Sequence, residues 1–108
     1  MHEAILVMIS CEDKNQAEQI GEQLLKNKLA VCTQIVSHAD SMFLWPPRKN
    51  QIDYADEALL LVKTLDEKWP KLEREVLRLH TYENPEIIAI PLLRVTKRYL
   101  LWLKSELS

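Results

Sequence analysis

Residues 80–91 read His80-Thr81-Tyr82-Glu83-Asn84-Pro85-Glu86-Ile87-Ile88-Ala89-Ile90-Pro91. An imidazole, a phenol and two carboxylates stand within seven positions. Neutral imidazole is the commonest metal ligand and suits copper and zinc. His80 is therefore a candidate metal ligand, and Cys11 is a candidate soft ligand for Cu(I). Tyr82, Glu83 and Glu86 are candidates to line a metal or small-molecule pocket. Each has a structural counterpart. A histidine here also caps a helix C-terminus, a lone cysteine packs as a small hydrophobe, and the polar cluster serves equally to fix a turn.

Other positions carry weaker signals. Ser37-His38-Ala39-Asp40-Ser41 holds triad residue types, but a triad depends on spatial geometry and not on adjacency in the chain. The segment reads as a strand break. Lys63 follows four apolar residues, a setting for an interface ion pair or for a stem that snorkels outward. Cys32, Trp45 and Trp102 read as packing residues. With no credible nucleophile–base pair and no full ligand set, the sequence points away from an enzyme.

Glu3 to Ser10 is almost wholly apolar and of strand length, which predicts a strand buried on both faces. Asp13 with Gln16 three residues on forms a capping box, and Ala17, Ile20, Leu24 and Leu25 follow at helical spacing to about Asn27-Lys28. Leu29 to Val36 and Ser41 to Trp45 are β-type runs, Pro46-Pro47 a turn, and Ala58 to Thr64 a buried strand. If the runs flanking the prolines pair, each arm exceeds a dozen residues and spans ~40 Å at about 3.3 Å per residue. A chain of about 100 residues has a radius of gyration of only ~13 Å. Such a hairpin must bend or project, and a projecting one exposes strand edges that proteins pair or cover.

Asp66 to Leu79 is a second helical pattern with Pro70 in its first turn. Glu86 to Ile90 is a fourth strand, with Pro91 pointing to an edge position or to the strand's end, and Thr96 to Leu107 a closing helix. The order β-α-β-β-α-β-α predicts an α+β, ferredoxin-like sandwich with an extra C-terminal helix and a long β2-β3 hairpin, all in one domain over residues 1–108.

Composition narrows the function classes. The chain has 108 residues, 47% apolar and 28% charged, and these values suit a globular domain and not a disordered segment. A formal net charge of -2 argues against binding nucleic acid through its phosphate backbone. The single glycine, Gly21, excludes Walker and dinucleotide fingerprints, which need several. No apolar run nears the roughly 20 residues of a membrane span. Met1-His2-Glu3-Ala4 lacks the basic start of a signal peptide. Two cysteines are too few for a disulfide framework, so a cytoplasmic setting is expected.

Several segments resemble the CutA, or divalent-cation tolerance, family. Leu29-Ala30-Val31-Cys32 resembles its Leu-Ala-Ala-Cys, and Ser41-Met42-Phe43-Leu44-Trp45 its Ser-Ile-Tyr-x-Trp. Leu60-Leu61-Val62-Lys63-Thr64 resembles Leu-x-Ile-Lys-Thr, and residues 80–91 resemble His-Pro-Tyr-Glu-x-Pro-Glu-Ile-Ile-Ala-Leu-Pro. Tyr99-Leu100-Leu101-Trp102-Leu103 resembles Tyr-Leu-x-Trp-Ile. The resemblance implies a homotrimer like the PII signalling proteins, built with intersubunit sheets, and a role in copper tolerance through binding copper or another divalent metal ion. The alternative it leaves is a PII-like module that binds a small ligand or an unknown protein partner without metal.

The chain departs from the family at several positions. The family's hairpin tip is a short Trp-x-Gly-Lys turn, whereas residues 45–52 here are longer and lack glycine. Val95 stands where the family often has glycine, and Thr81 where it has proline. Some bacterial members have a cysteine at the end of the first strand and two adjacent histidines as proposed copper ligands. Here Ile9 takes the cysteine position, with Cys11 two residues on, and Leu79 precedes His80.

Overall fold

The computed structural model describes residues 3–108; Met1 and His2, which entered the reading of the N-terminus, lie outside the described residues. Its elements are β1 (Ala4–Cys11), α1 (Lys14–Lys26), β2 (Cys32–Leu44), β3 (Ile52–Leu65), a 3-10 turn (Asp66–Lys68), α2 (Trp69–Leu79), β4 (Ile87–Pro91) and α3 (Lys97–Leu107). The sheet runs β2-β3-β1-β4 and is antiparallel throughout, so β4 is an edge strand, as Pro91 requires. This is the ferredoxin-like α+β arrangement expected from the order of elements.

Local chemistry explains the boundaries. The Asp13 carboxylate accepts from the Gln16 N–H at 2.8 Å and caps α1. The Gln16 side chain reaches back to the Glu12 N–H at 2.8 Å, one residue earlier than the cap itself. Lys28 then takes a left-handed φ of 55° to release the chain toward β2. Thr96 caps α3 by accepting from the Tyr99 N–H. Gly21 sits where α1 meets the sheet: a Cβ there would lie 3.3 Å from Thr33 Oγ1 and 3.4 Å from a Leu60 methyl. The one glycine serves close helix–sheet approach and not a turn.

Two expectations are corrected. Residues 37–41 do not break the strand. β2 runs through them with a bulge between Val36 and Ala39, and the extra residue is absorbed by His38 at φ 63°. β2 and β3 are therefore one hairpin of 13- and 14-residue arms. The molecule extends 46 Å along its long axis against 26 and 24 Å across. The glycine-free tip, where the Trp45–Pro46 bond is cis, turns through Arg48 at φ 65° and Asn50 at φ 54°, and the Trp45 N–H closes it on the Gln51 carbonyl at 3.1 Å. Val95 needs no positive φ.

Secondly, β1 is not buried on both faces alike. Ile5, Val7, Ile9 and Cys11 face α1 and α2 and are buried with Leu60, Val62, Leu72 and Val76. At about 1.5–3 kcal/mol per buried aliphatic side chain, this face supplies most of the subunit's cohesion. Leu6 and Met8 point the other way and stay half-buried, beside Ile88 and Ile90, which are exposed. α3 covers only the end of that second face, packing Leu103 and Leu107 on Ala4 and Leu65.

Candidate functional site

The turn from α2 into β4 lies against the C-terminal end of β1, because the Ser10 N–H donates to the Glu86 carbonyl at 3.2 Å. His80 is the C-cap residue of α2, and its own N–H still donates to Val76 at 2.8 Å. Its ring does not serve the helix end. Nε2 lies 2.7 Å from the Ser10 carbonyl, and Nδ1 lies 3.1 Å from the Tyr82 N–H. A carbonyl only accepts and a backbone N–H only donates, so the imidazole is held neutral with its proton on Nε2. Both ring nitrogens are thereby occupied.

Tyr82 stacks obliquely on His80, with ring centroids 4.8 Å apart. Its hydroxyl donates to Glu57 Oε2 at 2.7 Å. Burial, followed by that bond to a carboxylate, pushes the Tyr82 pKa upward. Glu57 is itself buried at 7% exposure, so the phenol satisfies a charge on the protein's inside. Thr81 joins a second network: it accepts from Gln16 Nε2 at 2.6 Å and donates to Glu12 Oε1 at 3.1 Å. Together these bonds tie the turn to β1, β3 and the start of α1.

Cys11 is fully buried, with its thiol against the Ile9 carbonyl at 3.8 Å. Burial, then the charges of Glu57, Asp13 and Glu12, push its pKa up to about 12. Metal ligation needs the thiolate. Among the described residues, no three His, Cys, Asp or Glu side chains are grouped to hold a metal ion. The residues present here do not fit the copper site that the resemblance implies, because both His80 ring nitrogens are engaged in hydrogen bonds and no third ligand is grouped with His80 and Cys11 among the described residues. Glu83 and Glu86 are exposed.

The turn thus brings together His80, Tyr82, Thr81, Glu57, Glu12 and Gln16. Sequence reasoning did not select Glu57, Glu12 or Gln16 as site residues. Glu57 had a signal, since it shares its strand face with Leu59 and Leu61 and so points where a charge needs a partner. Two shallow surface depressions lie elsewhere, one against α1 and α2 at Gln23 and Arg78, the other on the hairpin between Asp40 and Tyr54.

The profile of the family described as CutA1 divalent ion tolerance protein matches residues 5–106. The chain belongs to the CutA1 family. A divalent-cation tolerance protein CutA from Thermus thermophilus is 36% identical over 106 residues, covering 98% of each chain. The structure of a periplasmic divalent cation tolerance protein CutA from Archaeoglobus fulgidus superposes with a TM-score of 0.91 at 33% identity, covering 97% of this chain and 99% of that one. CutA1 from Oryza sativa superposes at 0.92 with 28% identity, over 99% and 95%. Since one CutA relative is described as periplasmic, membership does not fix the compartment. No helix among the described residues is long and apolar enough to cross a membrane.

Proposed function

We propose that this CutA chain serves divalent-cation tolerance as a homotrimer, with its second sheet face and projecting hairpin buried between subunits. One observation carries the reading: the apolar surface that the subunit leaves uncovered. Ile88 and Ile90 are 46% and 44% exposed on the sheet, and Met42, Leu44, Ile52 and Tyr54 are 60% exposed or more on the hairpin. Groups of large apolar side chains left exposed in this way mark association sites. A two-stranded ribbon is marginal in water by itself and gains its order from what it packs on. Light scattering at micromolar concentration tests this, with a trimer expected and a monomer contradicting it.

Within this reading, any bound metal is not held by a His80–Cys11 pair. Calorimetric copper titration with a competing chelator is expected to give affinities for wild type and His80→Ala that agree within threefold. A tenfold loss in the variant would restore the ligand role. The occupied ring nitrogens of His80 favour the second reading as well, a PII-like module that holds a small ligand or protein partner without metal. In it the exposed Glu83 and Glu86 make the contacts, while Tyr82 orients the turn. No catalytic step is assigned to the chain. A cytoplasmic setting remains our proposal on the strength of the two free thiols, Cys11 and Cys32.

A further inference from the structure

The register of the sheet lays its second face out in rows that cross all four strands. Cys32, Lys63, Leu6 and Ile90 stand side by side in one row, and Gln34, Leu61, Met8 and Ile88 in the next. Alternation along β3 puts Lys63 here, since Val62 and Thr64 on either side of it are fully buried on the helix-covered face. Lys63 is the one charge in these two rows and Gln34 the one amide; every other position is apolar or a thiol.

The Lys63 ammonium donates to Gln34 Oε1 at 2.7 Å and, among the described residues, makes no ion pair. An ammonium only donates, so this contact fixes the amide's orientation and leaves its NH2 group as a second donor beside the charge. Tyr99 of α3 borders the same row against the Cys32 thiol, and burial followed by that thiol raises its pKa. Its phenol O–H adds a third donor at this end of the face. Donors thus collect around Lys63 without an anion to meet them.

A lone ammonium is tolerated where its head reaches water and is costly where water is excluded. The assembly proposed above covers this face. Copies that meet through it bring one ammonium each and no carboxylate from either row, so the counter-charge has to come from solution. We infer that Lys63 and Gln34 form an anion site, completed by the assembly, for a small solute bearing a carboxylate or phosphate group. The inference rests on the trimer proposed above and places a ligand apart from the turn at residues 80–86. The ammonium supplies the charge and the amide N–H takes a second oxygen, so an oxyanion engages both donors at once. Leu6 and Leu61 beside them keep the surroundings apolar, which strengthens both bonds.

Calorimetric titration of the full-length protein with inorganic phosphate, and separately with acetate, in chloride buffer of fixed ionic strength tests the inference. Sedimentation equilibrium on the same samples reads the assembly. Wild type is expected to bind at least one probe with millimolar affinity or better, and the preferred probe tells phosphate from carboxylate. Lys63→Met keeps an unbranched stem without the charge, and is expected to weaken that binding at least tenfold while assembly stays within threefold of wild type. Gln34→Leu should weaken binding at least threefold. A trimeric wild type that binds neither probe, or a Lys63→Met variant that binds as wild type does, would overturn the site while leaving the trimer standing. So would a Lys63→Met trimer that falls apart with no probe present, because the partner of Lys63 would then be a carboxylate of the next copy. A wild type that is monomeric would overturn the trimer and the site with it.

Discussion

The turn at residues 80–86 and the outer half of the β2–β3 hairpin are both rich in polar and aromatic side chains, yet they dispose of them in opposite ways. In the turn, His80 and Thr81 each make two hydrogen bonds inside the subunit, and the Tyr82 hydroxyl meets a buried carboxylate. In the hairpin, two aspartates face each other and four large apolar side chains stand in water. Density of chemically capable residues is thus a poor guide to where a protein acts. Groups satisfied internally, as those of His80, Thr81 and Tyr82 are, fasten the fold, whereas groups left unsatisfied point to something outside the chain.

The largest effect expected from breaking this contrast lies on the packed face. Leu60→Ala removes a fully buried side chain of the sheet core and should cost about 2–5 kcal/mol in urea unfolding. Next comes Tyr82→Phe, which leaves the Glu57 carboxylate buried without its donor and should cost about 1–3 kcal/mol. Replacing Glu57 by Gln in the Tyr82→Phe background should recover part of that loss, since the uncompensated charge is gone. A Tyr82→Phe variant as stable as wild type would mean the turn is not fastened by this bond.

Alkaline titration sharpens the same point. The folded state raises the pKa of Cys11 from 9.0 to about 12 and pushes Tyr82 upward from 10.0. The unfolded chain loses these protons first, so it binds fewer protons than the native state and stability falls as pH rises. Both groups contribute fully below pH 9, and the loss begins near pH 9 with Cys11 and continues above pH 10 with Tyr82. Cys11→Ala should flatten the early part of that decline by up to about 1.4 kcal/mol per pH unit. The smallest effect belongs to the hairpin: Met42→Ser should change subunit stability by less than about 0.5 kcal/mol, and its cost should fall on assembly instead.

Most of the fold was legible because its elements carry local signals. Asp13 and Gln16 announce α1, Pro70 opens α2 and Pro91 marks β4 as an edge. The bulge at His38 was not legible, since Ser, His and Asp near a strand also signal its end, and only pairing with β3 decides between them. Of the site, the His80 and Tyr82 positions were evident from their types. Their roles were not, because these depend on Ser10 and Glu57, 70 and 25 residues away along the chain. The apolar content of β1 also misled: Leu6 and Met8 on its second face are apolar, yet this subunit leaves them only half-buried.

Hydrogen exchange followed by mass spectrometry, at concentrations spanning the dissociation of the assembly, tests the contrast most directly. The amides of residues 80–86 should keep the same protection throughout, whereas those of residues 40–56 should lose at least tenfold on dilution. Hairpin protection independent of concentration, or a turn that loosens along with the hairpin, would contradict the account.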